Sequence, residues 1–281
     1  MDKIFVTGAT GNIGKYLVKY LRELKVPFTA GSSSITKQEY PTSRIDYEDE
    51  ESLRLAFKEH NILFLLTPDS ENSMNWVHNA IEAAKEAGIK HIVRSSGIGA
   101  DAESDYFVFK ELGEIENIVK NSGLNYTIIQ PNSFFQNFAT FQNQTVKNGA
   151  VFLPHDNAKV SYVDVRDVAL AIATVLKEAD KHKSKTYVIT GGTAISDQEL
   201  LDEIGKVLNK RISYISVSDQ DTIDTFRKYH MPEHNIKQLI SLYQADRTGL
   251  TGLVSPDFTK LTGKESRTSH VFAKDYRSYW K

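Results

Sequence analysis

Two short stretches carry residues whose types and spacing suit chemistry. In "YFVFK", Tyr106 and Lys110 stand four residues apart, which puts both on one face if the segment is helical. A lysine ammonium beside a phenol lowers the phenol's pKa, and such a phenol can hand a proton to a carbonyl as it is reduced by hydride. In "KIFVTGATGNIGKYLVKYL", residues 3–21, glycines stand at Gly8, Gly11 and Gly14, between a strand-like apolar run and an amphipathic helical one. A helix that starts on such a turn offers free N–H groups and the positive end of its dipole, which suits a phosphate. Gly8 can take the tight turn, Gly11 lets backbone approach a pyrophosphate, and Gly14 lets the helix pack closely on the sheet. The spacing is G-x-x-G-x-x-G rather than G-x-G-x-x-G. Its position after a strand and before a helix favours dinucleotide binding over a tight turn with no ligand.

The end of the second strand chooses between dinucleotides, because an NAD site needs a carboxylate there for the ribose 2′-hydroxyl. This chain reads "TAGSSSITK", with no acidic residue between Glu23 and Glu39. Ser32, Ser33, Ser34 and Lys37 can donate to a 2′-phosphate instead, so NADPH is expected ahead of NADH. The plainer alternative is a solvated polar loop.

These residues need elements to hold them. Residues 4–7, 27–30, 62–67, 91–95 and 126–130 read as strands, separated by helical patterns. Ile13, Leu17, Leu21 and Leu24 mark one helical face. Trp76, Ala80, Ala83, Ala84 and Ala87 mark a second, stopped by Gly88; Leu112, Ile115, Ile118 and Val119 mark a third, stopped by Gly123. Strand–helix alternation of this kind predicts an α/β, Rossmann-like, doubly wound parallel sheet. Residues 168–176 read as a helix and 186–190 as a strand. Residues 196–209 read as a helix opened by a Ser196/Glu199 capping box, and 212–217 as a half-buried strand. With no linker between the halves, the expectation is two lobes of one unit. The first is a dinucleotide-binding lobe over 1–131, rejoined by a strand and helix from about 160–190. The second is a smaller α/β substrate lobe over most of 132–281.

Composition narrows the function classes. Apolar residues make up 40% of the 281 and charged residues 25%, as in ordinary globular proteins. Lys plus Arg number 34 and Asp plus Glu 36, so a net charge of -2 argues against nucleic acid or an anionic membrane as partner. The lack of cysteine excludes disulfides, thiolate metal sites and a cysteine nucleophile. No apolar run suits a membrane span, and a strand beginning within three residues leaves no room for a signal peptide, so a cytoplasmic protein is expected. The eight histidines show no ligand spacing, and no metal is expected. Asp164 and Asp167 in "VDVRDVA" could form an acid pair, but Asp164 reads instead as the cap of the following helix with Arg166 as its charge neighbour. Phe134, Phe135, Phe138 and Phe141 are either core or a shelf for a planar substrate.

The chain resembles the NmrA-like group of atypical short-chain dehydrogenase/reductases, close to its NADPH:quinone oxidoreductase branch. The resemblance is carried by "VTGATGNIG", "DYEDEESLRLAF", "EAAKEAGIKHIVRSSG", "FKELGEIENIVKNSGLNYTIIQPNSFFQNF", "VSYVDVRDVALAIA" and "LTGKESRTSHVFAKDY". It implies that Gly8, Thr10, Gly11, Asn12, Ile13 and Gly14 hold the cofactor's phosphates. Asp46 and Tyr47 would follow the third strand at the adenine, and Thr67 and Pro68 would lie under the cofactor after the fourth. Ser95 and Ser96 would stand beside the nicotinamide, Lys110 would bind its ribose, and Pro131 and Asn132 would lie near its carboxamide. Phe134, Phe135 and Asn137 would shape the substrate cleft. The Tyr-x-x-x-Lys spacing is that of standard short-chain dehydrogenases, in which a preceding serine, here Ser96, orients the substrate and the tyrosine, here Tyr106, is the acid; NmrA-like proteins often lack that tyrosine, and the alternative is an aromatic packed at the cleft rim. The chain departs from the family at Gln130, where an arginine is usual, and in the seryl loop, where many members also have one. The expected activity is hydride transfer from NADPH to a small, apolar, planar acceptor such as a quinone; a homodimer is one assembly open to it, and the sequence does not name the oligomeric state. The rival reading is an NADP(H)-binding redox sensor without turnover.

Overall fold

The computed structural model describes residues 3–34 and 38–281. The apolar runs of the first half become strands, and the amphipathic runs between them become helices. In order these are β1 (Ile4–Val6), α1 (Gly14–Glu23), β2 (Phe28–Ser32), β3 (Thr42–Arg44), α2 (Glu50–Phe57), β4 (Ile62–Leu65), α3 (Ser73–Ala87), β5 (His91–Ser95), α4 (Phe107–Lys120) and β6 (Asn125–Pro131). There follow α5 (Asn143–Asn148), β7 (Ala150–Leu153), α6 (Val165–Lys177), β8 (Lys185–Ile189), α7 (Asp197–Leu208), β9 (Ser213–Ser216), α8 (Asp219–Lys228), α9 (Glu233–Arg247), α10 (Asp257–Thr262) and α11 (Ser269–Asp275).

Seven strands form one parallel sheet in the order β3-β2-β1-β4-β5-β6-β8. The chain reverses direction across the sheet between β1 and β4. In a doubly wound sheet the crevice beyond the C-terminal strand ends at that point is where ligands bind. One face is covered by α1 and α6 around Leu17, Leu21, Val168 and Ile172. The other is covered by α2, α3 and α4 around Phe57, Ile81 and Ile115. A third core, built on Phe138, Leu201, Phe226 and Phe272, joins α7, α8, α9 and α11 to the two-stranded parallel ribbon of β7 and β9.

Local signals place several ends. Gly88 ends α3 in the left-handed conformation at φ 83°. Ser196 and Glu199 form the capping box of α7, and Asn209 closes it at φ 54°. Asp164 caps α6 by accepting from Arg166 N and also receives the Arg166 guanidinium at 2.7 Å, while Asp167 pairs with Arg267. Other expectations need correcting. The helix expected to run to Gly123 stops at Lys120, since Asn121 already caps it; Gly123 turns the following loop at φ 83°. Strands β3 and β7 carry no readable periodicity and exist through their partners, β2 and β9.

A buried charge cluster pins the third core. His155 Nδ1 lies 2.7 Å from Asp197 and Nε2 lies 3.2 Å from Asp246, while Tyr162 OH donates to Asp197 at 2.7 Å. Burial alone would lower the His155 pKa, but the two aspartates outweigh it and raise it to about 9. Among the described residues no helix is long and apolar enough to cross a membrane.

Candidate functional site

The glycine turn lies at the β1 edge of the crevice. Gly8 is left-handed at φ 63°, and a Cβ on Gly14 would lie 2.1 Å from Gly8 O and 2.7 Å from Ala9 Cα. Gly14 therefore lets the helix start against the turn's own backbone rather than against the sheet. Gly11 is exposed, and a Cβ there would meet only Gly8 O, at 3.2 Å. Ile13 precedes α1 without a side-chain cap, and the first turn holds no acidic residue. The N–H groups of Asn12, Ile13 and Gly14 have no acceptor among the described residues. That is an anion cradle: convergent donors at a positive helix end, with the space a Cβ would fill left open.

Thr10 ties the turn to the end of β2, its hydroxyl 2.9 Å from that of Ser32. Ser33 and Ser34 are exposed beyond it, and Ser34 N donates to Ser32 Oγ. Lys37 lies outside the described residues. Strand β3 adds a group that strand periodicity did not reveal. Arg44 pairs in register with Ser32 and is exposed, and its guanidinium makes no hydrogen bond or ion pair among the described residues. The available signal was the pattern "TSRIDY", in which an arginine stands two residues before the aspartate at a strand end.

Beyond the end of β3, Tyr47 OH donates to Leu66 O at 2.9 Å and its ring stacks on Trp76. Burial pushes the Tyr47 phenol up to about 12, so it remains a proton donor at neutral pH. Asp46 is exposed and accepts from Glu48 N. Thr67 is buried just after β4 and Pro68 is exposed beside it. Thr7 Oγ1 bonds Phe64 O and Leu66 O, locking β1 to β4 beneath the crevice.

At the β5–β6 side the side chains are more committed than the resemblance implied. Ser95 is buried. Ser96 Oγ donates at 2.7 Å to Glu116, a buried carboxylate that also receives Gln130 Nε2 at 2.7 Å and Lys120 Nζ at 2.8 Å. Gln130 thus fills, with Lys120, the role an arginine could play alone toward that carboxylate. Pro131 ends β6. Asn132 is 2% exposed, and its amide donates to Ser161 Oγ and Thr251 O while its oxygen accepts from Ser133 N. Its side chain is therefore a clamp between segments, and its backbone N–H is engaged as well, donating to Ile189 O.

Tyr106 and Lys110 do not both lie within a helix as expected, although Lys110 N donates to Tyr106 O across the first turn. Helix α4 begins at Phe107, and Tyr106 is its extended N-cap at φ -86°, ψ 121°, its ring edge-on to Phe109. Lys110 is exposed and its ammonium has no partner among the described residues, so it is free to meet a ligand.

The aromatic shelf also divides. Phe135 is 3% exposed and stacks on Phe272 at 5.3 Å, and Phe138 is equally buried, so both are core and neither lines a cleft. Phe134 packs against the sheet core, and its backbone bridges Val163. Asn137 is exposed. Phe141, half exposed, opens into a cavity of about 630 Å³ with Phe152, Phe226, Tyr229 and Met231, a volume suited to a drug-sized molecule.

The sequence model of the NmrA-like family matches residues 1–260. The chain belongs to the NmrA-like family. Within reach of this NmrA-like chain is an NAD(P)H azoreductase of Xenophilus azovorans, 29% identical over 277 residues, covering 96% of either chain. A solved NADPH-dependent quinone oxidoreductase from Escherichia coli, complexed with NADPH, is 26% identical and superposes with a TM-score of 0.87 over 97% of this chain and 99% of that one. The negative transcriptional regulator Nmra in complex with NAD is 17% identical, covering 98% of this chain and 94% of that one, and its TM-score of 0.78 shows likeness of fold alone.

Proposed function

We propose that this protein is an NADPH-dependent reductase that passes hydride to a small, apolar, planar acceptor such as a quinone. One observation carries the reading. The capless start of α1 offers three free N–H groups at the sheet's switch point, beside Ser32 and Arg44 and with no carboxylate on β2. The named activities of the azoreductase and the quinone oxidoreductase agree with it.

NADPH, when bound, supplies the hydride, and the chain's own groups bind and orient. Asn12, Ile13 and Gly14 N–H would hold the diphosphate, and Ser32, Ser33 and Arg44 the 2′-phosphate. Tyr47 would flank the adenine. Lys110, unpaired, would hold the nicotinamide ribose, and Tyr106 is the nearby phenol able to give the acceptor a proton. Its position outside the helix makes that donation optional, since a reduced quinone can take its proton from water.

A redox-sensing regulator is the second reading. The engagement of Ser96 with Glu116 favours it, because that hydroxyl's proton is withheld from a substrate. Steady-state oxidation of NADPH against a panel of quinones and azo compounds separates the two. Turnover supports the enzyme; tight NADPH binding with no turnover on any acceptor supports the sensor.

A further inference from the structure

Arg94 is a charged residue in the middle of the sheet. It lies on β5, is 4% exposed, and donates to Leu65 O at 3.2 Å and to Thr67 Oγ1 at 3.3 Å. Its Nε has no acceptor, and among the described residues no carboxylate stands at ion-pair distance from it. Glu116, a buried carboxylate that acts on Arg94 without pairing with it, is already engaged by Lys120, Gln130 and Ser96. Asp69, whose carboxyl burial pushes up and Arg94 pulls back down, acts on Arg94 across space without an ion pair, and Tyr47 is a neutral phenol. Burial drags the Arg94 pKa down to about 10, which still leaves it charged at neutral pH. A buried, unpaired guanidinium is unfavourable in the free protein, and an apolar side chain of similar volume would suit the site better. Stability therefore does not explain the residue.

Its second bond suggests what does. Thr67 follows β4 beside the switch point, one residue from Leu66, whose carbonyl lies 3.3 Å from where a Cβ of Gly8 would be. Thr67 makes no other side-chain hydrogen bond among the described residues. A hydroxyl that accepts from a guanidinium must direct its own hydrogen elsewhere. We propose that Arg94 is a positioning residue: it fixes Thr67 as a hydrogen-bond donor into the crevice and sets beneath it a positive charge with no direct ion-pair partner, both aimed at an anionic dinucleotide. This rests on reading the crevice as a dinucleotide site.

The test compares Arg94→Met, Thr67→Val and the double variant, with NADPH affinity from calorimetry and the thermal midpoint of the free protein. Arg94→Met is expected to keep or raise the midpoint while weakening NADPH about tenfold, the scale of one hydrogen bond to a charged group. Thr67→Val should weaken NADPH comparably, and the double variant should bind no worse than the weaker single one. A structural role would move midpoint and affinity down together. Wild-type affinity in Arg94→Met, or losses that multiply in the double variant, would overturn the proposal while leaving the dinucleotide reading intact. No NADPH binding by the wild-type protein overturns that reading as well. Should Arg94→Met not fold, Arg94→Lys in the same cycle with Thr67→Val carries the test, with the same non-additivity expected.

Discussion

Arg44 stands opposite Ser32 in the parallel register of β3 and β2, so the two side chains project from the same face of the sheet. Ser32 in turn touches Thr10 of the glycine turn, which puts an unpaired guanidinium next to the donors expected around a ribose 2′-phosphate. A charge-assisted hydrogen bond contributes about 1.5–3 kcal/mol, so NADPH should bind at least about tenfold more tightly than NADH. Arg44→Gln should remove most of that preference by weakening NADPH alone. Titration of both cofactors by nicotinamide fluorescence checks it; equal loss for NADPH and NADH would show that Arg44 is not reading the phosphate.

The three glycines should respond differently to substitution. A side chain on Gly11 meets only one backbone oxygen, so Gly11→Val is expected to fold and to lose nucleotide binding by filling the cradle. Gly14→Val would collide with the backbone of Gly8 and Ala9 and should lower the melting temperature itself. Circular dichroism with calorimetry distinguishes them, and full nucleotide affinity in folded Gly11→Val would move the phosphate elsewhere.

Lys110 and Tyr106 are expected to separate kinetically. Lys110→Ala should weaken NADPH binding and slow turnover together. Tyr106→Phe should be nearly silent with quinones, because the phenol sits outside α4 and the product can be protonated by water. Were the phenol an obligatory acid, kcat would fall by about 10²–10⁴ with NADPH affinity unchanged. Kinetics of both variants with one active acceptor decide between these outcomes.

His155 should make stability depend on alkaline pH. Its folded pKa, about 9, lies above the ordinary histidine value, so the folded state holds the proton more tightly. The stabilisation is complete below about pH 6.5 and is lost as pH rises through about 9. Melting temperatures measured from pH 6 to 10 should fall more steeply for the wild-type protein than for His155→Gln. Parallel curves would show that the histidine is neutral in the fold.

The sequence by itself determined the central strand β4, because a fully buried parallel strand is an apolar run and residues 62–65, Ile-Leu-Phe-Leu, have no other use. It determined the start of α1, where Gly8 and Gly14 are the residues the turn's geometry tolerates, and the caps at Asp164, Ser196 and Gly88, which act through neighbours a few residues away. These are local effects, and local effects are written in local sequence. What only the tertiary structure decided involves partners far apart in the chain. Arg44 gains its meaning from a strand too short and polar to announce itself, Phe135 is core because Phe272 returns to stack on it, and Ser96 is engaged because Glu116 and Gln130 converge on the same spot. Asn132 became a clamp through Thr251, and Arg94 lies buried and bonded to Leu65 O and Thr67 rather than to a carboxylate because of where β4 and β5 pair. Such long-range contacts set which polar atoms are already satisfied and which remain for a ligand, and no periodicity or spacing along the chain encodes that.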